Sequence, residues 1–313
     1  MLFLANPTLY RKWSALLREE FGTRVHKISL DLGAGCPHRE NLRKGGCIFC
    51  DFRGGGTGAL LQGISLEEQI RRGASIAINR FKAKKAILYF QSYSASNLPI
   101  SRLKKEIERA LQEASKYLPV VGLSLGTRPD LLPEEFFSLL QEFTERGLKI
   151  WLELGVQTTQ EEGLLFLRRG HTLGTVEEAL YRASSRRELR LCAHLIAGIP
   201  GEPEDQLLHS IDWLVSRGVF SFKFHPLHVL KDTPLEELYE EGIFAPLSLE
   251  EYARRVARAL HARPEIVIQR LTADAYPPFL VAPHWMEDKP RVVQEIEKSL
   301  KELHEKTDME PLC

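Results

Sequence analysis

DLGAGCPHRENLRKGGCIFC, residues 31–50, is the stretch from which the rest of the chain is read. It places Cys36, Cys47 and Cys50 in one loop at a C-x10-C-x2-C spacing. Three thiolates in so short a segment can hold a metal centre, yet they leave a four-coordinate site one ligand short. Zinc would need a fourth protein ligand, and His38 is at hand for a site of three cysteines and one histidine. A 4Fe–4S cluster ordinarily takes four thiolates; three would leave one iron open to a substrate or cofactor. Gly45 and Gly46 let the loop turn tightly before the last cysteine pair. Phe49 sits between those two cysteines, where it can shield the centre or stack on a planar ligand.

Outward from this loop the chain alternates strand and helix. HKISLDL (26–32) reads as a strand ending just before Cys36. KAILYF (85–90), VVGLSL (120–125), KIWLEL (149–154), LRLCAHLIA (189–197) and VFSFKF (219–224) read as five more. The long apolar run at 189–197 suits a parallel strand buried on both faces. Helices are expected between them: from a Ser65/Glu68 capping box to about residue 80, from Ser101, from Pro133, from Thr159/Glu162 and Thr175/Glu178 boxes, and over 203–217. Gly54, Gly55 and Gly56 read as a hinge. Strand and helix alternate without a hairpin signal, which argues for an α/β fold, a parallel β/α barrel or an arc of one. Residues 1–25 read as a helical lead-in, 26–230 as the barrel and 231–313 as an extension closing it. That extension holds a helix capped by Ser248 and Glu251, a strand at 265–271 and a charged helix at 290–306.

Composition narrows the class. The 313 residues are 43% hydrophobic and 27% charged, enough for a sizeable core. The formal net charge is +0, so a polyanion would have to meet a local patch. Five cysteines, three of them crowded into one loop, argue against a secreted disulfide framework and for a reducing cytoplasm. The start reads as no signal peptide, and no apolar run approaches a membrane span.

In β/α barrels chemistry gathers at the C-terminal strand ends, and the unusual residues of this chain fall there. Strand two runs into Gln91, Ser92, Tyr93 and Ser94, and strand three into Gly126-Thr127-Arg128-Pro129-Asp130. Strand four carries Glu153 and ends at Gln157; a carboxylate inside an apolar strand must be paired, ligated or protonated. Strand five carries His194 and ends in Gly198-Ile199-Pro200. Strand six ends at His225, with His228 and Lys231 beyond, and these three are the candidate catalytic groups at the mouth.

GCPHRE…GGCIFC, YFQSYS, GLSLGTRPD, WLELGVQT, RRGH, HLIAGIPGE, FKFHPLHVLKDT and RLTADA together resemble the radical S-adenosylmethionine (SAM) superfamily. Within it they look like a bacterial family related to the elongator catalytic subunit and to oxygen-independent coproporphyrinogen oxidase. The resemblance implies a partial (β/α)6 TIM-like barrel with a C-terminal extension. It also implies a 4Fe–4S cluster on Cys36, Cys47 and Cys50, with SAM chelating the open iron. Gln91 to Ser94 would hold SAM's amino group, Gln157 its ribose and Arg169 its carboxylate. His194 stands where that branch usually has a ribose-binding aspartate, and Gly198-Ile199-Pro200 would face adenine. The implied chemistry is reductive cleavage of SAM to a 5′-deoxyadenosyl radical, fed by a flavodoxin- or ferredoxin-type reductase. The implied substrate is a tRNA base, with Arg39, Arg43 and Lys44 beside the cluster to meet a phosphate. The alternatives are a small metabolite as substrate, or a cluster-binding protein without turnover. Cys192 and Cys313, the remaining cysteines, cannot hold a second cluster by themselves.

Overall fold

The computed structural model describes residues 9–41, 44–274 and 278–309. Among the described residues the chain enters through a two-residue strand, β1 (Arg11–Lys12), and a helix, α1 (Trp13–Phe21), which carries the helical part of the expected lead-in. β2 (Val25–Leu30) leads into the cysteine loop, which carries a small hairpin, β3 (Arg39–Asn41) and β4 (Lys44–Gly45). The alternation then follows as α2 (Leu66–Asn79), β5 (Lys85–Phe90), α3 (Ile100–Ala114), β6 (Val120–Thr127), α4 (Glu134–Glu145) and β7 (Lys149–Gln157). After α5 (Glu161–Phe166) and α6 (Leu173–Ser184) come β8 (Leu189–Ala197), α7 (Gln206–Val215) and β9 (Ser221–Pro226). The remainder is β10 (Val229–Leu230), α8 (Pro234–Glu240), α9 (Leu249–Ala262), β11 (Val267–Arg270), β12 (Leu280–Ala282) and α10 (Lys289–Met309).

Eight strands form one sheet in the order β1-β11-β9-β8-β7-β6-β5-β2. Every pair in it is parallel. The six strands read from the sequence lie side by side in chain order. β11 continues the sheet beside β9, so the C-terminal segment is woven into the barrel rather than set against it. β10 and β12 pair separately and antiparallel.

The sheet is curled, and one contact proves it. β2 and β11 are six strand steps apart, about 29 Å in a flat sheet. Yet Lys27 Nζ on β2 donates to Gln269 Oε1 on β11 at 2.7 Å. Period two decides what faces the inside. On β7, Ile150, Leu152, Leu154 and Val156 join the core under the helices, while Glu153, Gly155 and Gln157 line a cavity inside the curl. On β8, Leu191, Ala193 and Leu195 face the helices and His194 and Ile196 face the cavity. The apolar run at 189–197 is therefore two-sided, with a polar inner face. Below the cavity Leu17 of α1 packs with Ile87 and Trp151, and Trp13 meets Trp151 edge-on at 5.5 Å. α1 is the plug at the N-terminal end of the strands.

Helix starts follow local chemistry with some shifts. Ser65 caps α2 by accepting from Glu68 N. Ser248 and Glu251 complete a reciprocal capping box on α9. Pro99, not Ser101, is the N-cap of α3, and Pro133 is the N-cap of α4 rather than its first turn. Gln160 is the N-cap of α5, because the Thr159 hydroxyl is engaged with Ser210 Oγ at 2.9 Å. Thr172 rather than Thr175 caps α6. Gly54 and Gly56 are there for close approach: a Cβ at Gly54 would lie 2.3 Å from the Tyr93 ring, and one at Gly56 would lie 2.2 Å from Ser92 Oγ.

Two substitutions grade these contributions. Leu152→Ala, in the middle of the sheet and fully buried, lowers unfolding free energy by about 2–5 kcal/mol. Ser248→Ala removes one cap at about 1 kcal/mol. Urea titrations of the two variants place the first midpoint well below the second.

Candidate functional site

The cysteine loop is tied to the body at Ile48, whose N–H donates to Leu167 O at 3.2 Å and whose carbonyl accepts from Leu235 N at 3.0 Å. Cys47 and Cys50 bracket this anchor, and Cys50 N donates to Cys47 O at 3.1 Å. All three cysteines are free thiols on one wall of the cavity. Burial pushes the Cys50 thiol up to about 12, with Cys47 adding to it and Arg39 opposing it. The Arg39 guanidinium donates to the carbonyl of Cys50.

The cavity measures about 360 Å³ and opens at the C-terminal ends of the strands. Its floor is a charged network around Glu153, which is 0% exposed. Lys27 from β2, Lys223 from β9 and Ser124 from β6 all donate to this carboxylate. His194 Nε2 from β8 lies 2.9 Å away. Burial alone would raise the Glu153 pKa; Lys223, Lys27 and His194 outweigh it and hold the carboxyl well below the usual carboxylate range. Burial brings Lys223 down to about 7 against the pull of Glu153, and its Nζ also donates to Tyr89 Oη at 3.0 Å. Burial likewise lowers His194 to about 4, so its imidazole is neutral and Nε2 carries the proton given to Glu153. His225 and His228 are also held below the usual imidazole range by burial.

Arg169 reaches Cys47 Sγ with Nη1 at 3.0 Å and Gly155 O with Nη2 at 2.7 Å. Its Nε is buried and without a partner. Arg128 approaches the same sulfur at 4.0 Å. It is gripped by Asp130 through Nε and Nη2 at 2.9 and 3.0 Å. Gln157, at the end of β7, holds φ +75 without being glycine, a conformation kept where surrounding structure imposes it.

The structure brings together most residues singled out in the sequence. Phe49, Gln91, Tyr93, Ser94, Glu153, Gln157, Arg169, His194, His225 and His228 line the cavity with the cysteines. Ser92 lies behind the lining, buried, its Oγ unpartnered. Gly198, Ile199 and Pro200 are not at the cavity; Ile199 is buried in a separate apolar cluster with Ile48 and Leu167, and β8 offers Ile196 to the ligand instead. Lys231 is exposed, outside the cavity, with its backbone N–H on Phe279 O; Leu230 before it still lines the cavity. Arg43, the side chain of Lys44 and Cys313 lie outside the described residues. Lys27, Lys223 and Arg53 were not singled out for the site, and Arg128 was noted only as part of the run after strand three. Their signal was positional: Lys27 and Lys223 occupy inward positions of strands whose alternate residues are apolar.

The match to known proteins agrees with this geometry. Residues 30–214 match the Radical SAM superfamily, and residues 219–302 match the Radical_SAM C-terminal domain.

The chain belongs to the radical SAM superfamily.

Protein YhcC of Escherichia coli K12 is 34% identical over 288 residues, spanning 91% of this chain and 90% of YhcC. The tRNA uridine(34) acetyltransferase of Methanocaldococcus jannaschii is 29% identical over 153 residues, 47% of this chain and 27% of that enzyme. The archaeal Methanocaldococcus infernus Elp3 structure superposes with TM-score 0.65 at 20% identity, a likeness of fold. It covers 88% of this chain, which spans 63% of the length of that structure.

A radical SAM enzyme implies an iron–sulfur cluster and SAM, and the residues present fit both. A zinc held by thiolates at about 2.3 Å would bring the sulfurs to within about 3.8 Å of one another. Among the described residues, the trio of donor atoms lying within 4.8 Å of one another is Glu153, Cys192 and His194, not the loop cysteines. Glu153 in that trio is already committed to two lysines. His38, the candidate fourth ligand for zinc, is engaged with Asp130 Oδ2 at 3.2 Å. The orphaned Arg169 Nε is a buried donor awaiting an acceptor.

The neutral histidines set a pH dependence. The unfolded chain protonates histidine near pH 6.5 and the folded one only lower, so stability falls as pH drops below about 6.5. The slope is at most about 1.4 kcal/mol per pH unit for each histidine. The depressed carboxyl of Glu153 keeps its contribution above about pH 4.3 and loses it only as pH falls through its folded pKa. Urea midpoints measured from pH 7 to 4.5 decline, and His225→Asn makes the decline shallower.

Proposed function

We propose that this radical SAM enzyme holds a 4Fe–4S cluster through Cys36, Cys47 and Cys50, binds SAM beside it, and acts on a base of tRNA. When bound, the cluster and SAM supply a one-electron cleavage that yields a radical able to take a hydrogen atom from substrate. A flavodoxin- or ferredoxin-type protein would be the electron donor. The chain's own residues orient and enclose. Gln91, Tyr93 and Ser94 offer acceptors to SAM's amino group, Gln157 binds the ribose, and Arg169 Nε donates to the carboxylate. Phe49 covers the cluster, while Glu153, through Lys27, Lys223 and His194, keeps the floor rigid and dry.

The observation that carries the RNA reading is the charge of the lining. Arg39, Arg53, Arg128, Arg169 and Arg270 face the cavity, against Asp51, Glu153 and Asp274. Arg53, Arg128 and Arg270 are paired with Asp51, Asp130 and Asp274, so the excess of positive charge in this chain of net charge +0 is modest, and it supports a polyanion held at the mouth through few phosphates. Volume supports the same reading. At about 360 Å³ the cavity is near the small end for ligand pockets. Once cluster and SAM are seated, a substrate enters as a single projecting group, as a flipped base does. His225 and His228, both neutral, stand on that entry path. The partial similarity to tRNA uridine(34) acetyltransferase points the same way.

Transfer RNA purified from cells lacking the gene raises 5′-deoxyadenosine release by the anaerobic enzyme above the no-RNA rate. Arg270→Gln weakens tRNA binding and reduces the slope of log K against log salt by about one. Background release with tRNA of every modification state would favour a small-molecule substrate.

A further inference from the structure

The proposed function gives Asp130 no task and Arg128 none beyond its charge, although both sit at the cysteine loop. Arg128 is 5% exposed, as is Arg169. Two buried guanidiniums with one carboxylate between them are costly to desolvate and must serve something that repays them. Their geometry converges on one atom. Arg169 Nη1 donates to Cys47 Sγ at 3.0 Å, and Arg128 Nη1 stands 4.0 Å from the same sulfur. Arg128 Nη2 also donates to the Arg169 carbonyl at 2.5 Å, which locks the two together. Asp130 accepts from Arg128 through both oxygens and from His38 Nε2 at 3.2 Å. His38 lies two residues after Cys36, so Asp130 links both ends of the cysteine loop to β6. At the neighbouring Cys50 the guanidinium of Arg39 donates to the residue's own carbonyl.

We infer that Arg128 and Arg169 form a cationic clamp on the Cys47 sulfur that raises the reduction potential of the cluster bound there, with Asp130 as the positioning residue that aims Arg128. The inference rests on the reading of Cys36, Cys47 and Cys50 as cluster ligands. The reaction concerned is the uptake of one electron from the external protein donor; no bond breaks and no proton moves. The reduced cluster carries one more negative charge. A permanent cation hydrogen-bonded to a ligand sulfur stabilises that state more than the oxidised one, the more so in a dry site. A clamp on one ligand also makes the irons unequal, favouring added charge near Cys47.

The test is a redox titration of the anaerobically reconstituted full chain, followed by electron paramagnetic resonance without SAM or RNA. Arg128→Gln with wild-type iron content is more reducing. At the wild-type midpoint its reduced fraction falls from one half to about one tenth, roughly a tenfold change in the reduced-to-oxidised ratio and close to 59 mV for one electron. Arg128→Lys keeps the charge without the fork and shifts less. Pulsed resonance of the wild type exchanged into D2O shows deuterons coupled to the cluster, weakened in Arg169→Lys and in Asp130→Asn. An iron-loaded Arg128→Gln with the wild-type midpoint overturns the clamp. If that variant does not retain iron, the wild-type sample in D2O decides, and absence of coupled deuterons overturns it. A wild-type chain that assembles no cluster overturns the underlying reading as well.

Discussion

A carboxylate with no exposed surface, Glu153, receives donors from four other strands of the sheet. An ionised carboxylate taken out of water costs many kcal/mol unless it is paired and hydrogen-bonded. Here the pairing is only available if the sheet curls. Lys27 comes from the edge strand β2 and Lys223 from β9, five strand steps away. Lys27 reaches further, to Gln269 on β11. The ion cluster thus acts as a tie across an open barrel whose edge strands, β1 and β2, are not paired with each other among the described residues. It also divides the interior. Below it Trp13, Leu17 and Trp151 fill the barrel with apolar mass; above it the space stays open and polar.

The open half is where the loops can act, and the parallel strands aim their C-terminal ends into it. β2 delivers the cysteine loop, β6 delivers Arg128, and β7 with α5 delivers Gln157 and Arg169. Three thiols on one wall and a fixed polar floor opposite leave one volume between them. That volume is bordered by histidines kept neutral through burial. The arrangement is organised for positioning and exclusion of water, which is what a radical reaction asks of the protein around it.

Much of this was legible because several signals agreed. The spacing of Cys36, Cys47 and Cys50, six apolar strand runs and polar residues at their ends pointed to one architecture and one mouth. What stayed hidden had physical causes. Lys27 and Lys223 lie in runs that are apolar on alternate positions only, and a lysine on a short strand looks exposed until the curl turns that face inward. Gly198-Ile199-Pro200 looked like part of the mouth because it follows β8 directly. Gly198, at φ +93, instead sends the chain behind the cavity, where Ile199 packs against Ile48. Lys231 was one step too far along the same kind of argument: Leu230 of β10 still lines the cavity, while Lys231 is exposed beyond it. The cap of α5 was misplaced because Thr159 found a tertiary partner in Ser210 that no local rule contains. Gly54 and Gly56 read as freedom and are in fact tight contacts with Tyr93 and Ser92.

The central claim is that Cys36, Cys47 and Cys50 hold a cluster with one iron left for SAM. Mössbauer spectroscopy of the chain reconstituted anaerobically with iron-57 tests it directly. The account predicts about four irons per chain, of which a single one changes its isomer shift when SAM is added while the rest do not. A protein that instead takes up one zinc, or whose irons are all indifferent to SAM, would contradict it.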